Sequence, residues 1–295
     1  MRRLIVNADD FGLTDGINRA ILDLHRSGAL SSSTLMAAAP RFTEAAELAR
    51  QNSSLGVGCH IVLVDGSPVA DPAAIRTLLD RSGKSGGVQF RSTLGRFVRD
   101  LTMGRIDGAH IEREATAQIQ RLRQAGVTVT HVDTHKHTHM FPLVLEAVLR
   151  AAKACDVPAI RNPFEPRWSV VATADAGAIR ALQVRLLGRF RDRFWKLVRK
   201  HGFATTDGCL GVTATGTLQA STLQAILNQL PEGTWELVCH PGYVDEELRA
   251  TRTRLQGSRE TEVAALRKLP DMLACSPAPI QVIHFSQLSE LAGSK

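Results

Sequence analysis

The 295-residue chain predicts an α/β fold: seven or eight mostly parallel strands in a closed or nearly closed (β/α) barrel, with the active site at the C-terminal strand ends. Three observations predict it. Short apolar runs alternate with amphipathic segments throughout, the pattern of a parallel sheet covered by helices. Their number favours closure over an open sheet. The polar residues that stand out, Asp9, Asp10, His60, His135, Arg161 and His240, each end a predicted strand. That is the face on which such barrels gather their active sites.

The elements follow in order. Arg3 to Ala8 is a short apolar run without alternation, hence a buried strand, and it ends at Asp9-Asp10-Phe11-Gly12. Ile17 to Leu30 carries Ile17, Ile21 and Leu24 at helical spacing. Ser32 to Ala37 reads as a strand and Phe42 to Asn52 as a helix. Leu55 to Leu63 is a third strand carrying His60. Asp65 to Gln89, rich in Gly, Pro and Ser, reads as a long loop, either a lid or a substrate rim. Helical patterns follow at about Ser92–Met103 and His110–Ala125. Gly126 to Thr130 opens a β-branched strand, and Pro142 starts a helix at its first position. Val157 to Arg161 and Asp207 to Gly211 read as short strands, and Ser221 to Leu230 as a helix capped by Ser221. Trp235 to Cys239 is a strand ending in His240-Pro241-Gly242, Glu260 to Ala274 a helix, and Ile280 to His284 the last strand. No internal repeat is visible. The expectation is one domain over 1–295 with a basic amphipathic helical insertion at about 165–206.

Composition narrows the class. Hydrophobic residues make up 44% of the chain, ample for a core. The five cysteines are scattered, with no CxxC pair, which argues for a reducing compartment and a cytoplasmic location. The N-terminus leaves no room for a signal h-region, and no apolar run is long enough to span a bilayer. The net charge of +7 is local. Arg180, Arg185, Arg189, Arg191, Arg193, Lys196, Arg199 and Lys200 face one acid, Asp192, and the remainder is neutral. A general nucleic-acid-binding surface is therefore not expected. Ile179, Leu182, Leu186, Phe190, Phe194 and Leu197 mark one helix face within this segment. Two readings stand side by side: a helix packed on the barrel with a solvated basic face, or a surface over 179–200 meeting anionic membrane at its inner face.

The chemistry concentrates in His131-Val132-Asp133-Thr134-His135-Lys136-His137-Thr138-His139, where four of the ten histidines fall in nine residues. The run lies between a strand and a helix rather than in a low-complexity tail, which sets it apart from a surface metal-storage tract. Side chains alternate on a strand, so the four cannot all converge on one ion. Asp10, His60 and His135 form a candidate two-His, one-carboxylate site that leaves positions open for water and substrate. Asp9 is then the carboxylate that accepts a proton from water, and His240 the acid for the leaving group. Arg161 is either part of the catalytic set or a structural ion-pair partner.

Asn7-Ala8-Asp9-Asp10-Phe11-Gly12, Gly58-Cys59-His60-Ile61-Val62-Leu63, the histidine run and Cys239-His240-Pro241-Gly242-Tyr243 resemble the YdjC/ChbG-like carbohydrate deacetylases over nearly the whole chain. Arg259-Glu260-Thr261-Glu262 is similar to that family's late Arg-Glu segment. The resemblance implies a distorted (β/α) barrel, one divalent metal ion, and removal of acetyl from an N-acetylated sugar. It implies Asp9 as base and Asp10, His60 and His135 as metal ligands. The resemblance implies magnesium, whereas two imidazoles and a carboxylate suit zinc or another late transition metal better, and both stay open. The stretch between Phe164 and Thr206 departs from the chito-oligosaccharide members and resembles the hopanoid-biosynthesis branch, which implies an N-acetylglucosaminyl glycolipid substrate. Chito-oligosaccharides, a silent metal- or sugar-binding barrel and a phosphoesterase are the alternatives, and a homodimer is the assembly considered.

Overall fold

Leu4, Ile5, Val6 and Ala8 leave neither face of the first strand for water, so this strand belongs at the centre of a sheet. The computed structural model, which describes residues 1–80, 87–173 and 188–292, places it there. β1 (Arg2–Phe11) is flanked along one side by β6 (Gly233–Cys239). On the other side β7 (Ile280–Val282) pairs with Arg2–Leu4, and β2 (Ser32–Leu35) pairs with Asn7–Phe11. With β3 (Gly56–Ile61), β4 (Val129–Thr134) and β5 (Gly208–Leu210) the order is β4-β3-β2-β1-β6-β5, and every pairing is parallel.

The sheet curls into a distorted (β/α) barrel. The segment carrying Arg161 spans the gap between its ends. Ile160 bridges to Val132 of β4, Arg161 N donates to Val132 O at 3.0 Å, and Cys209 N of β5 donates to Phe164 O at 3.2 Å. Helices cover the outside. α1 (Asp15–Arg26) is capped by Thr14 and buries Ile17, Ile21 and Leu24, while α2 (Phe42–Gln51) and α3 (Leu94–Thr102) follow β2 and β3. α4 (Gly108–Gln124) packs on α5 (Pro142–Ala154), which begins with its proline as the sequence indicates. Among the described residues, no helix is long and apolar enough to cross a membrane.

Several expectations need correction. The helix assigned to Ser221–Leu230 runs Ala220–Asn228 and has Gln219, not Ser221, at its N-cap without a side-chain hydrogen bond. The helix expected over Glu260–Ala274 is two, Ser258–Leu266 and Leu269–Ala274, because Pro270 has no N–H to continue the first. Short helices at Arg167–Ala172, Glu246–Ala250 and Phe285–Ala292 carry no periodic signal long enough to read. In the basic segment, Ile179, Leu182 and Leu186 lie outside the described residues. The helix Arg191–His201 buries Phe194, Leu197 and Val198, and it ends on Gly202 in the left-handed region at φ 76°. Its arginines and lysines are exposed.

Candidate metal centre

A regular strand would send Asp9 and Asp10 to opposite faces. β1 avoids this with an irregularity against β2: Ala8 pairs with Ser33 but Phe11 with Leu35, so three steps on β1 match two on β2. Asp10 takes up the extra residue at φ 69°, a conformation that aspartate tolerates better than most residues. Both carboxylates therefore reach the barrel mouth from one strand end, with different neighbours.

Asp10 faces the histidines. Its Oδ1 lies 3.8 Å from His60 Nε2 and 3.7 Å from His135 Nδ1, and these two nitrogens are 3.3 Å apart. Its Oδ2 accepts from Arg259 at 2.5 Å. His60 is in register with Asp133 on the neighbouring strand, and its Nδ1 lies 2.8 Å from Asp133 Oδ1. That contact fixes the ring and leaves Nε2 for the site, the usual second partner of a metal-binding histidine. His135 comes off β4 on a 3-10 turn, His135–Met140, in which Lys136 (φ 56°) and His137 (φ 52°) are left-handed. The turn departs from the strand at His135, so His135 does not continue the strand register of His131 and Asp133. Lys136 anchors it by donating to Asp65 at 2.7 Å.

Asp9 faces inward. Arg161 donates to both its oxygens, at 2.9 and 2.7 Å, and Asn7 and Thr34 donate to Oδ1 at 3.0 and 2.9 Å. His240, just past β6, brings Nε2 to 3.8 Å from Asp9 Oδ2. Its Nδ1 is buried without a partner among the described residues. Arg161 is fully buried and spends its remaining donors on Asp133 and on Glu236, with Nε to Oε1 at 2.8 Å. It lies behind Asp9 as an ion-pair centre. Of the other histidines, His131 stacks on Phe285 at 3.7 Å, beneath Gly58, where an added Cβ would meet its ring at 2.5 Å. His139 bonds Thr134 and the Arg161 carbonyl.

The donor set fits a cation. Ligand atoms 2.0–2.1 Å from a tetrahedral zinc lie about 3.3–3.5 Å apart, close to the three separations here. The electrostatics agree. Burial disfavours charge on His60, yet Asp133, Asp9 and Asp10 outweigh it and push the ring to about 9, so a cation bound there would have to displace its proton. Burial pulls His135 down to about 4, keeping it neutral as a ligand must be. Burial pushes Asp10 up, but Arg259 and then His135 outweigh it and hold the carboxyl well below the usual range. Asp9, desolvated but facing Arg161 and His60, is likewise held down. Asp9, His60 and Asp133 also lie close together. Arg161 already occupies both of those carboxylates, which makes that grouping a support for the site rather than a second one.

The sequence assigns no role to the supporting layer of Asp133, Glu236, Arg259, Glu262 and Thr34, although the Arg259–Glu262 segment carries part of the family resemblance. Asp133, two residues before His135, and Arg259 with Glu262, one helical turn apart, were the available signals. Glu236 in an apolar strand could also have been suspected, because a buried carboxylate needs a partner.

Comparison with known proteins gives a consistent picture. The family profile described as YdjC-like protein matches residues 3–270. A carbohydrate deacetylase of Thermoanaerobacter pseudethanolicus is 31% identical over 250 residues, 84% of each chain. One of Brevibacillus brevis is 30% identical over 287 residues, 97% of this chain and 99% of that protein. A crystal structure from Enterococcus faecalis V583, provisionally described as a cellobiose-phosphate cleavage protein, superposes with a TM-score of 0.75 at 22% identity and covers 97% of this chain and 98% of that one.

Proposed function

The chain belongs to the YdjC-like family, and from that premise we propose that it is a metal-dependent carbohydrate deacetylase acting on an N-acetylated sugar. One observation carries the proposal: Asp10, His60 and His135 converge while Asp9 and His240 stand together beside them. Asp10, His60 and His135 hold the metal, and zinc suits their donor set better than magnesium. A bound divalent cation supplies Lewis acidity, which makes water more acidic and an acetyl carbonyl more electrophilic. Asp9, aimed by Arg161, Asn7 and Thr34, orients the attacking water and takes its proton. Arg161 keeps this carboxylate ionised and fixed in direction. In this reading His240, whose Nε2 lies 3.8 Å from Asp9 Oδ2, passes a proton to the departing sugar amine.

The test is acetate release from N-acetylglucosamine oligomers and from an N-acetylglucosaminyl lipid, before and after chelation. Release that disappears with chelator and returns with metal is expected. No release from either substrate by metal-loaded protein would overturn the reading.

The finer reading is a lipid-linked, hopanoid-type glycoside. It is supported by the exposed basic side chains at Arg193, Lys196 and Arg199, whose helix docks its apolar face on the fold and keeps its cationic face outward, and at Arg189 in the turn just before it. Changing these four to Gln should abolish flotation with anionic liposomes and spare turnover of a soluble N-acetyl sugar. Wild-type protein that ignores such liposomes at low salt would leave the helix with a structural role only.

A further inference from the structure

One short helix, Ser258–Leu266, reaches both halves of the site from outside the strand ends. Arg259 is 1% exposed although it carries a full charge. Its NH2 donates to Asp10 Oδ2 at 2.5 Å, its Nε to Leu255 O at 3.0 Å, and its NH1 lies 3.5 Å from the His240 carbonyl. One turn later Glu262, also 1% exposed, accepts from the His240 amide at 2.5 Å through Oε2 and from Gly216 N at 3.2 Å through Oε1. The peptide unit on each side of His240 is thus held by the same helix that holds Asp10. Gly242 lets the pieces approach: a Cβ there would meet Arg259 Cδ at 3.0 Å and Ile17 Cγ1 at 2.9 Å.

We propose that Arg259 and Glu262 are paired positioning residues, Arg259 for the metal ligand Asp10 and Glu262 for His240. The proposal rests on the metal-centre reading above. A free carboxylate offers a cation either oxygen or both. Arg259 occupies Oδ2 with a charge-assisted hydrogen bond and turns Oδ1 alone toward His60 and His135. The left-handed backbone at Asp10 needs such an outside hold, because the strand ladder no longer dictates its direction. Glu262 does the corresponding work on the backbone of His240, whose ring has no orienting partner of its own at Nδ1 among the described residues. The two residues face the helix's inner side at i and i+3, the spacing that puts side chains over one surface. A small tilt of this helix therefore moves a metal ligand and His240 together.

The experiment measures zinc affinity by chelator competition and steady-state kinetics for Arg259→Met, Arg259→Lys and Glu262→Gln, each checked for folding by circular dichroism. Arg259→Met should weaken zinc binding about 10–100-fold, as loss of an outer partner does at other metal sites. Arg259→Lys, which keeps one charged donor, should recover part of that loss. Glu262→Gln should bind zinc within about twofold of wild type and lose kcat rather than KM, with a displaced alkaline limb of the pH profile. Zinc binding unchanged in Arg259→Met, or weakened equally in Glu262→Gln, would overturn the division of roles. Should Arg259→Met fail to fold, the Lys variant carries the same test: wild-type zinc affinity and kinetics with Arg259→Met unfolded would assign Arg259 to stability alone. The affinity shift stands apart from acetate release, so loss of the deacetylase reading with the shift intact leaves the positioning roles standing.

Discussion

Among the described residues, two clusters of arginine and carboxylate have opposite stoichiometry. Inside the barrel, one guanidinium, Arg161, serves three carboxylates, Asp9, Asp133 and Glu236. Beyond the mouth, one carboxylate, Asp100, receives three guanidinium groups, Arg91, Arg99 and Arg105, beside a cavity of about 570 Å³. The outer cluster disposes of its excess charge in water, since the Arg99 and Arg105 side chains are 53% and 59% exposed. The inner one has no water to use and must neutralise itself from within. The proton balance records the difference. The hydrogen bond from Arg91 heads the contributions that outweigh desolvation and hold Asp100 down to about 2. Burial, only partly offset by Arg161, pushes Glu236 up to about 8. Where negative charge exceeds positive in a dry interior, a proton or a cation has to make up the deficit. The inner cluster leaves its deficit next to Asp10, His60 and His135. Its imbalance is thus part of what would draw a metal to the mouth.

The largest expected effect separates the adjacent aspartates at the top of the inner cluster. Asp9→Asn should retain metal and lose about 10²–10⁴ in turnover, whereas Asp10→Asn should lose the metal itself. Metal content by mass spectrometry beside acetate release decides this, and equal metal loss in both would refute the assignment.

Removing the inner cation comes next. Arg161→Met leaves the buried Asp9 and Asp133 carboxylates without their counter-ion and the Glu236 carboxyl without its donor, and should cost about 3–5 kcal/mol in urea unfolding, if it folds at all. A loss below about 1 kcal/mol would show that the inner cluster neutralises itself without Arg161.

Glu236→Gln sharpens the comparison through pH. Folding raises the carboxyl from 4.5 to about 8. Below pH 4.5 the group is protonated in both states. Between 4.5 and 8 only the folded state keeps the proton, so wild-type stability falls with rising pH. The variant lacks this titration, and its stability relative to wild type should rise from pH 5 to pH 8. A difference that stays flat over that window would place the proton elsewhere.

The smallest effect belongs to the outer cluster. Arg99→Gln removes one of three donors from an exposed network and should change stability by less than about 1 kcal/mol, with the change shrinking in salt.

The candidate ligands were legible because metal chemistry needs few residue types, and strand ends place them where a barrel is open. Asp10, His60 and His135 could be read from type and position alone. Their supports could not. Asp133 sits in the same histidine run, but its contact with His60 depends on the register between β3 and β4, which no local pattern records. The turn of Asp10 away from Asp9 depends on an irregularity between β1 and β2. Arg259 was visible as a segment, yet its partner lies at the opposite end of the sequence. The alternation of strand and helix was local and readable. The splitting of the helix near Pro270 was also local, and the apolar pattern around it concealed the break.

The position of β1 has a consequence for how this protein is made. Its hydrogen-bonding partners beyond β2 are β6 and β7, so Arg2 waits for Gly233 and Ile280. On the ribosome the first strand emerges long before either neighbour, with an apolar run and unpaired edges. Non-local pairing of this kind slows folding and exposes sticky intermediates. Asp9 and Asp10 are synthesised well before Arg161, His240 and Arg259, and are fixed only once all three have followed. A truncated or stalled chain would therefore carry the two aspartates without the site they belong to.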